Sequence, residues 1–342
     1  MIWLTLRQFR TQGLTALALL ATAATYILVT GLQMRSTYAA DQALCAAQNT
    51  CDAVMSDFHR SYDPALTLMQ LILFVTPALI GVFWGAPLIG REFETGTYQL
   101  AWNQSVTPAR WLAFKLAIVG AGSIATAGLL SVLLTWWSRP LEVVANDRFD
   151  VVSFTTRDLV PFASAAFAIA LGVTVGAFMR RSVTAMAVTF AVAIVAQILM
   201  PTVLRPHLLP STTVKFAVND SIASQIYDIQ MSNGGSQVHL VGPPVPAGAW
   251  IVAAPPIKNS SGQTIAAHEY PDCFPVPTNA KAGPPSTGEI VTCLGQYNLH
   301  ESFTYQPASH YWPLQWYESG IFLALAALLS GSCFWLVNRR QV

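Results

Sequence analysis

Six apolar runs without a charged side chain constrain this sequence more than any other feature. Each run contains 20 to 27 residues and no Asp, Glu, Lys or Arg. A helix of about 20 residues crosses a hydrocarbon core of roughly 30 Å, and only a helix satisfies its backbone hydrogen bonds within one segment. The runs therefore predict an all-α polytopic membrane protein with six transmembrane helices. They lie at 11–34, 64–90, 116–138, 159–179, 182–204 and 319–338.

Composition supports this interpretation. Only 10% of the residues are charged, against about 25% in soluble domains, and the mean hydropathy is +0.46. A seventh uncharged stretch, 229–257, is not predicted to span because it contains five prolines, which break helices. A cleaved signal peptide is the alternative for the first run. That run is too long for one, and Tyr38-Ala39-Ala40 is a poor cleavage site.

The predicted spans divide the chain into three parts. Residues 1–204 contain the first five spans, preceded by an N-terminal interfacial helix in which apolar residues accompany two arginines. This helix is expected to lie on the inner leaflet, with membrane lipids as its partners. The third span is extended to about 108–138 because Thr107-Pro108 has the pattern of an N-cap followed by proline at the first helical position. Residues 205–312 form a Pro-rich domain of mixed structure, and residues 313–342 contain the sixth span and a tail.

Basic residues predict the orientation in the plasma (inner) membrane. With both termini cytoplasmic, nine Lys and Arg residues fall in about 41 cytoplasmic positions, and nine are spread over about 165 outer positions. This is the bias of short cytoplasmic loops. The domain at 205–312 is then extracellular. The segment 139–158 fits least well, because it contains three arginines and is still assigned to the outside.

The cysteines and the local patterns of the outer domain give further expectations. Four cysteines fall in predicted outer segments and are expected to form disulfides there, although four reduced thiols remain the alternative. Within the domain we expect short strands at Gln237–Val241 and Ala249–Ala253 and one helix at Asn219–Met231. The four outer cysteines are Cys45, Cys51, Cys273 and Cys293.

Motifs for catalysis are missing from the sequence. No Gly-Lys dipeptide occurs, so the chain has no P-loop for ATP hydrolysis. His268-Glu269 and His300-Glu301 do not complete the H-E-x-x-H zinc motif. The runs contain no acid or histidine of the kind that intramembrane catalysis or proton transport needs. We therefore predict no enzyme, no catalytic residue, no metal or other cofactor in this chain, and no nucleic-acid partner.

The segment Arg91–Gln99, directly after the second run, points most clearly to a function. Its sequence is R-E-F-E-T-G-T-Y-Q, and it places two acids in the first turn of a predicted helix at 91–101, where the helix dipole favours negative charge. Phe93, Thr97 and Leu100 fall on one face of that helix. The plain alternative is that Glu92 and Glu94 form a solvated helix start.

This segment resembles the coupling region of type-2 ATP-binding-cassette exporter permeases. The six spans, the N-terminal helix, the stretch Ser105–Trp111 and the large segment before the last span complete the resemblance, and Gly90–Lys115 resembles permeases of this class from high-GC Gram-positive bacteria. The domain at 205–312 is larger than in compact members of the class. The resemblance implies a coupling helix at 91–101 that docks on a separate ATPase subunit. The implied contact residues are Arg91, Glu92, Phe93, Glu94, Gly96, Thr97 and Leu100.

The same resemblance implies a dimer of permeases, either a homodimer or a related heterodimer, with ATP and magnesium bound by the ATPase partner. The second and fifth spans would line the substrate path, although aromatic and Met side chains on a span more often face lipid or the core. The path residues are expected to be Gln70, Phe74, Gln197 and Met200. An alternative function is a membrane-anchored sensor or assembly protein whose extracellular domain binds a ligand. The sequence does not identify the substrate.

Overall fold

The computed structural model describes residues 10–48, 51–96, 107–145, 148–223, 226, 228–242, 245–274 and 285–339. In these ranges six helices are long and apolar enough to cross a membrane, which confirms the prediction of a mostly helical chain with six such helices. Residues 1–9 of the predicted interfacial helix, residues 97–101 of the predicted coupling helix and the last three residues lie outside the described residues. The six helices extend over Gly13–Ala47, Ala53–Thr95, Pro108–Val143, Val160–Met179, Ser182–Leu208 and Ala308–Arg339.

The chain forms two compact units, one from residues 1–208 together with 312–342 and one from residues 209–311. The α-helices of the described residues are numbered here in chain order. They are α1 (Arg10–Gln48), α2 (Cys51–Ile80), α3 (Ala86–Thr95), α4 (Pro108–Ala145), α5 (Val151–Thr155), α6 (Val160–Met179), α7 (Ser182–Leu199), α8 (Asp220–Ala223), α9 (Thr287–Leu294) and α10 (Tyr311–Arg339).

Two π-helical segments interrupt the second and fifth spans. Gly81–Gly85 joins α2 to α3, and Met200–Leu204 follows α7. Each segment has a proline beside or within it, Pro87 at the start of α3 and Pro201 in the segment itself. The backbone nitrogens of Ala86 and Arg205 bond to the carbonyl oxygens of Gly81 and Met200, five residues earlier, which is the π-helical pattern.

The second and fourth spans pack backbone against backbone. A Cβ atom added at Gly81 would lie 2.6 Å from the carbonyl oxygen of Ala168, and one added at Gly172 would lie 2.8 Å from the backbone nitrogen of Ala86. Gly176 contacts the carbonyl of Ala86 in the same way. Small residues at a spacing of four let helices in lipid approach this closely, and van der Waals packing then holds them together.

The described residues of the first unit include two apolar cores. One lies among α2, α3, α4, α6 and α10 and includes Ile89, Leu112, Ile169 and Cys333. The other lies among α1, α2 and α4 and includes Trp137. Outside these cores, many large apolar side chains of the spans are exposed, as expected where lipid covers a helix. A disulfide between Cys45 and Cys51 joins α1 to α2.

In the part of the second unit that the structure describes, two small antiparallel sheets surround an apolar core of their own. One sheet has the order β1-β5-β4, and the other pairs β2 with β3. A disulfide joins Cys273 to Cys293 in α9. The prediction of one helix over Asn219–Met231 is wrong, since its last four residues, 228–231, belong to a strand. The strands are β1 (Thr212–Ala217), β2 (Asp228–Ser232), β3 (Gln237–Val241), β4 (Trp250–Ala253) and β5 (His300–Gln306).

Candidate functional site

The described part of the predicted coupling segment is the last part of α3. The prediction of a helix that begins at Arg91 is therefore wrong, and Glu92 and Glu94 lie near the C-terminal end of α3 rather than in a first turn. This helix continues the second span past its uncharged run and ends at Thr95, and Gly96 follows in the left-handed conformation with φ 73°. A non-glycine residue would be strained at this φ, so glycine permits the chain to turn away here. Arg91 and Glu94 are exposed, and Phe93 packs against the core of the first unit. Thr97 and Leu100 lie outside the described residues.

Glu92 forms an ion pair with Lys115 of α4. Lys115 is 4% exposed, and its Nζ also lies 4.6 Å from the ring centroid of Trp111. A buried ammonium group is costly unless it is paired. The carboxylate of Glu92 therefore stabilises the buried charge of Lys115, which the surrounding apolar side chains cannot do. The ion pair also connects α3 to the third span.

Glu94 connects α3 to the fifth span. Its Oε2 accepts a hydrogen bond from the backbone nitrogen of Ser182 at 3.1 Å. Ser182 is the first residue of α7, and the residue before it, Arg181, provides no side-chain cap. Glu94 thus takes the place of an N-cap acceptor and adds negative charge at the positive end of the helix dipole. The two acids of α3 bind two different spans within the chain.

Of the four residues predicted to line a substrate path, Gln70, Phe74 and Gln197 form hydrogen bonds between helices. Gln70 is buried, and its Nε2 donates to Ser153 Oγ of α5 at 2.9 Å. Gln197 Nε2 donates to the backbone oxygen of Phe74 at 2.9 Å, so the structure brings the second and fifth spans together here. Met200 is buried in the π-segment after α7. These contacts are those of helix packing, and a role in a path stays a prediction.

A buried ion pair between Arg205 and Glu318 was not predicted from the sequence. Arg205 Nε donates to Glu318 Oε2 at 2.9 Å, and its Nη2 donates to Thr155 Oγ1 at 2.8 Å. The guanidinium also lies 4.0 Å from the ring centroid of Phe154. Both charged side chains are fully buried. Arg205 directly follows the fifth apolar run, and Glu318 directly precedes the sixth. This position beside the runs was the one sign in the sequence that the two charges could be buried.

Gln315 extends this polar layer. It is fully buried, its Oε1 accepts from the backbone nitrogens of Leu159 and Val160 at 3.2 and 3.3 Å, and its Nε2 donates to the Phe154 oxygen at 3.1 Å. One amide side chain of α10 therefore satisfies the N-terminus of α6 and the end of α5. Together with the ion pair, it fastens the sixth span to the fourth and fifth.

In the second unit, Glu301 of β5 is a buried carboxylate. It is 2% exposed, and its Oε1 accepts a hydrogen bond from the backbone nitrogen of Leu240 at 3.4 Å. Its Oε2 has no hydrogen-bond partner within the described ranges. Burial raises the pKa of Glu301 to about 8, against the smaller lowering effect of the Leu240 hydrogen bond.

Comparison with known protein families gives one match. A family model described as ABC-2 membrane transporter related matches residues 17–205, which is more than half of the chain. This range contains most of α1 and all of α2 to α7, including Glu92, Glu94 and their partners. No curated protein and no solved structure matches the chain significantly.

Proposed function

Because the chain belongs to the ABC-2 membrane transporter related family, we propose that it is the permease subunit of an ATP-driven exporter. It is a multi-pass membrane component, and the family implies an ATPase partner. In this proposal two permease copies, identical or related, form the translocation path. ATP and magnesium are held by separate ATPase subunits, and both termini of the permease lie in the cytoplasm.

The observation that carries the proposal is the double connection of α3. A coupling segment must transmit displacement to the spans, and this requires firm contacts. Glu92 joins α3 to Lys115 of the third span, and Glu94 joins it to Ser182 of the fifth. Since α3 itself continues the second span, movement of residues 91–101 acts on three spans at once.

The roles within 91–101 then divide between outward and inward contacts. The exposed Arg91 and the residues that follow Gly96, among them Thr97 and Leu100, are proposed to contact the ATPase. Glu92, Phe93 and Glu94 hold the segment to the membrane unit instead. Gln70, Phe74, Gln197 and Met200 are retained as the proposed path residues on the second and fifth spans.

The test is co-purification of the chain with a Walker-motif ATPase from its native membrane, using two classes of variant. Arg91→Glu changes only an exposed charge and is expected to weaken ATPase association at least tenfold. Glu94→Ala removes the contact with Ser182, so it is expected to retain the ATPase while ATP no longer changes hydrogen exchange in α7. Arg60→Glu reverses an exposed charge of α2 and is the matched control.

Absence of any ATPase from the purified complex, under conditions in which other exporters retain theirs, would refute the proposal. The sensor or assembly function of the extracellular domain would then be the better hypothesis. Retention of the ATPase by Arg91→Glu with the affinity of the wild type would refute the docking role of Arg91 alone.

A further inference from the structure

An apolar crevice of about 380 Å³ lies between α1 and α2 and is also lined by α4. Its lining residues fall within 19–27 of α1, 65–73 of α2 and 130–134 of α4. All three stretches lie inside the apolar runs, so the crevice is at the depth of the hydrocarbon core. An engineered apolar cavity of about 150 Å³ is large enough to bind benzene. This crevice therefore has room for a longer apolar group.

The lining offers almost no polar group to an occupant. Every lining residue except Thr22 and Tyr26 has an apolar side chain. The hydroxyl of Thr22 donates to the backbone oxygen of Ala18 at 2.9 Å, so it already has a partner. A bound water needs two to four polar partners, and apolar cavities of this kind stay dry. The chemistry of the crevice thus favours a hydrocarbon group over water or an ion.

The crevice has the shape of a wedge, because α1 and α2 are in contact at one end of it and apart at the other. Near the disulfide that joins the two helices, the ring of Phe58 lies 5.4 Å from that of Tyr38 and 5.1 Å from that of Tyr62. Ile27 is the first buried residue of α1 after these described positions, and none of residues 13–26 is buried. The first half of this span therefore lacks a packed neighbour within the described chain.

The open side of the wedge indicates what fills it. Leu19, Leu68 and Ile72 line the crevice and are each more than half exposed, so the surrounding lipid has direct access. A helix with its side chains is a cylinder of about 10–12 Å diameter, and a cylinder cannot follow a gap that narrows to closure. A flexible acyl chain can. An empty gap would also forfeit van der Waals contacts along both walls.

We propose that this crevice holds one acyl chain of a bilayer phospholipid as a resident part of the folded protein. The chain fills the space between α1 and the pair formed by α2 and α4, and it supports the half of α1 that has no buried residue. Recognition is by the hydrocarbon chain and not by the headgroup, since no charged residue lines the crevice. None of the four proposed path residues lines it either, so the site is distinct from the proposed translocation path.

The test is native mass spectrometry of the full-length chain after transfer from nanodiscs into detergent. The nanodiscs contain dioleoyl phosphatidylglycerol or, in a parallel sample, dioleoyl phosphatidylcholine. We expect the wild type to retain one phospholipid per chain, equally from either lipid. Ala23→Phe places a ring in the crevice and should weaken retention about tenfold, or about 1.4 kcal/mol. Ala21→Phe makes the same change at an exposed position of α1 outside the lining and should leave retention unchanged.

Thermal unfolding in detergent shows that the variant is folded. Because the new ring replaces the contacts of the chain, Ala23→Phe should melt no lower than the wild type when lipid is absent. Added phospholipid should then raise the melting temperature of the wild type more than that of Ala23→Phe. If Ala23→Phe does not fold, Ala23→Leu fills the crevice with fewer atoms and takes its place in both measurements.

Three results would each overturn the proposal: no phospholipid retained by the wild type, equal retention by the wild type and the folded crevice variant, or retention from only one of the two headgroups. A wild-type dimer that the crevice variant converts to a monomer would overturn it as well, since a second copy of the chain would then be the occupant. Neither measurement includes an ATPase or ATP, so failure of the export proposal does not affect them.

Discussion

The substitution Glu301→Gln is expected to remove a pH dependence from the stability of the second unit. Glutamine keeps the shape of the side chain and an oxygen that accepts from the backbone nitrogen of Leu240, but it cannot ionise. In the native chain, burial raises the pKa of Glu301 to about 8 from an ordinary value of 4.5. The native state therefore retains a proton over a pH range in which the unfolded state has lost it.

The sign and the size of the effect follow from this difference in pKa. Where the native state binds more protons than the unfolded state, unfolding becomes more favourable as the pH rises. Stability should therefore fall between about pH 4.5 and pH 8 and level off above pH 8. Each pH unit in this window corresponds to about 1.36 kcal/mol, so the whole window amounts to at most about 5 kcal/mol.

Hydrogen exchange measured by mass spectrometry on the full-length chain in nanodiscs tests this prediction. After correction for intrinsic rates, protection of the β3 and β5 amides should fall about tenfold per pH unit in the wild type and stay level in Glu301→Gln. Glu289→Gln is the control, because the Ser286 backbone hydrogen bond lowers the pKa of Glu289. Its stabilising effect is lost only at acidic pH. Equal slopes in the wild type and Glu301→Gln would refute the reasoning.

Three further predictions concern packing and covalent links, each measured by thermal unfolding in nanodiscs. Gly172→Ala should destabilise by roughly 1–3 kcal/mol through overpacking, whereas Gly120→Ala, which has open space around the new methyl group, should not; equal melting temperatures would contradict the tight contact. Glu318→Ala should cost roughly 3–5 kcal/mol because it leaves Arg205 buried and unpaired, and adding Arg205→Met should recover most of this loss; no recovery would show that the charge is not the cause. Cys273→Ser should cost about 3 kcal/mol, as expected for a bridge across 20 residues, and an unchanged melting temperature would contradict it.

The spanning helices were predictable because each depends on a local property of the sequence. The length of a run without charges matches the thickness of the bilayer core. A helix in that core satisfies its own backbone hydrogen bonds and needs no partner. The helices nevertheless extend beyond the runs. The first apolar run ends at Met34, but α1 continues to Gln48. The apolar run therefore predicts the spanning part of this helix and not its end.

The prediction of helix for the last residues of Asn219–Met231 was wrong because their conformation depends on a partner strand and not on a local property of the sequence. Residues Asp228–Ser232 pair with Gln237–Val241, so a partner later in the chain decides their conformation. Gln237–Val241 was predicted as a strand from its own residues, but its partner strand was not. Tertiary pairing overrides local propensity in such short segments.

Contacts between charged groups were the least predictable. Arg205 and Glu318 are 113 residues apart, and each was taken as the boundary of an apolar run rather than as half of a buried pair. Glu92 and Glu94 were recognised as unusual acids, but their partners lie 23 and 88 residues away. Charge and position in the sequence do not reveal which side chains the fold brings into contact.

The glycine contact between the second and fourth spans restricts how this protein can move. At Gly81 and Gly172 the nearest atoms of the facing helix are backbone atoms and the methyl group of Ala168, so no flexible side chain is available there to change rotamer and accommodate sliding. A shift along the axis would bring a Cβ atom against a carbonyl oxygen, so this pair has a single register. Any change of conformation must then carry the two helices as one rigid body, and the bending falls on irregular segments such as Met200–Leu204.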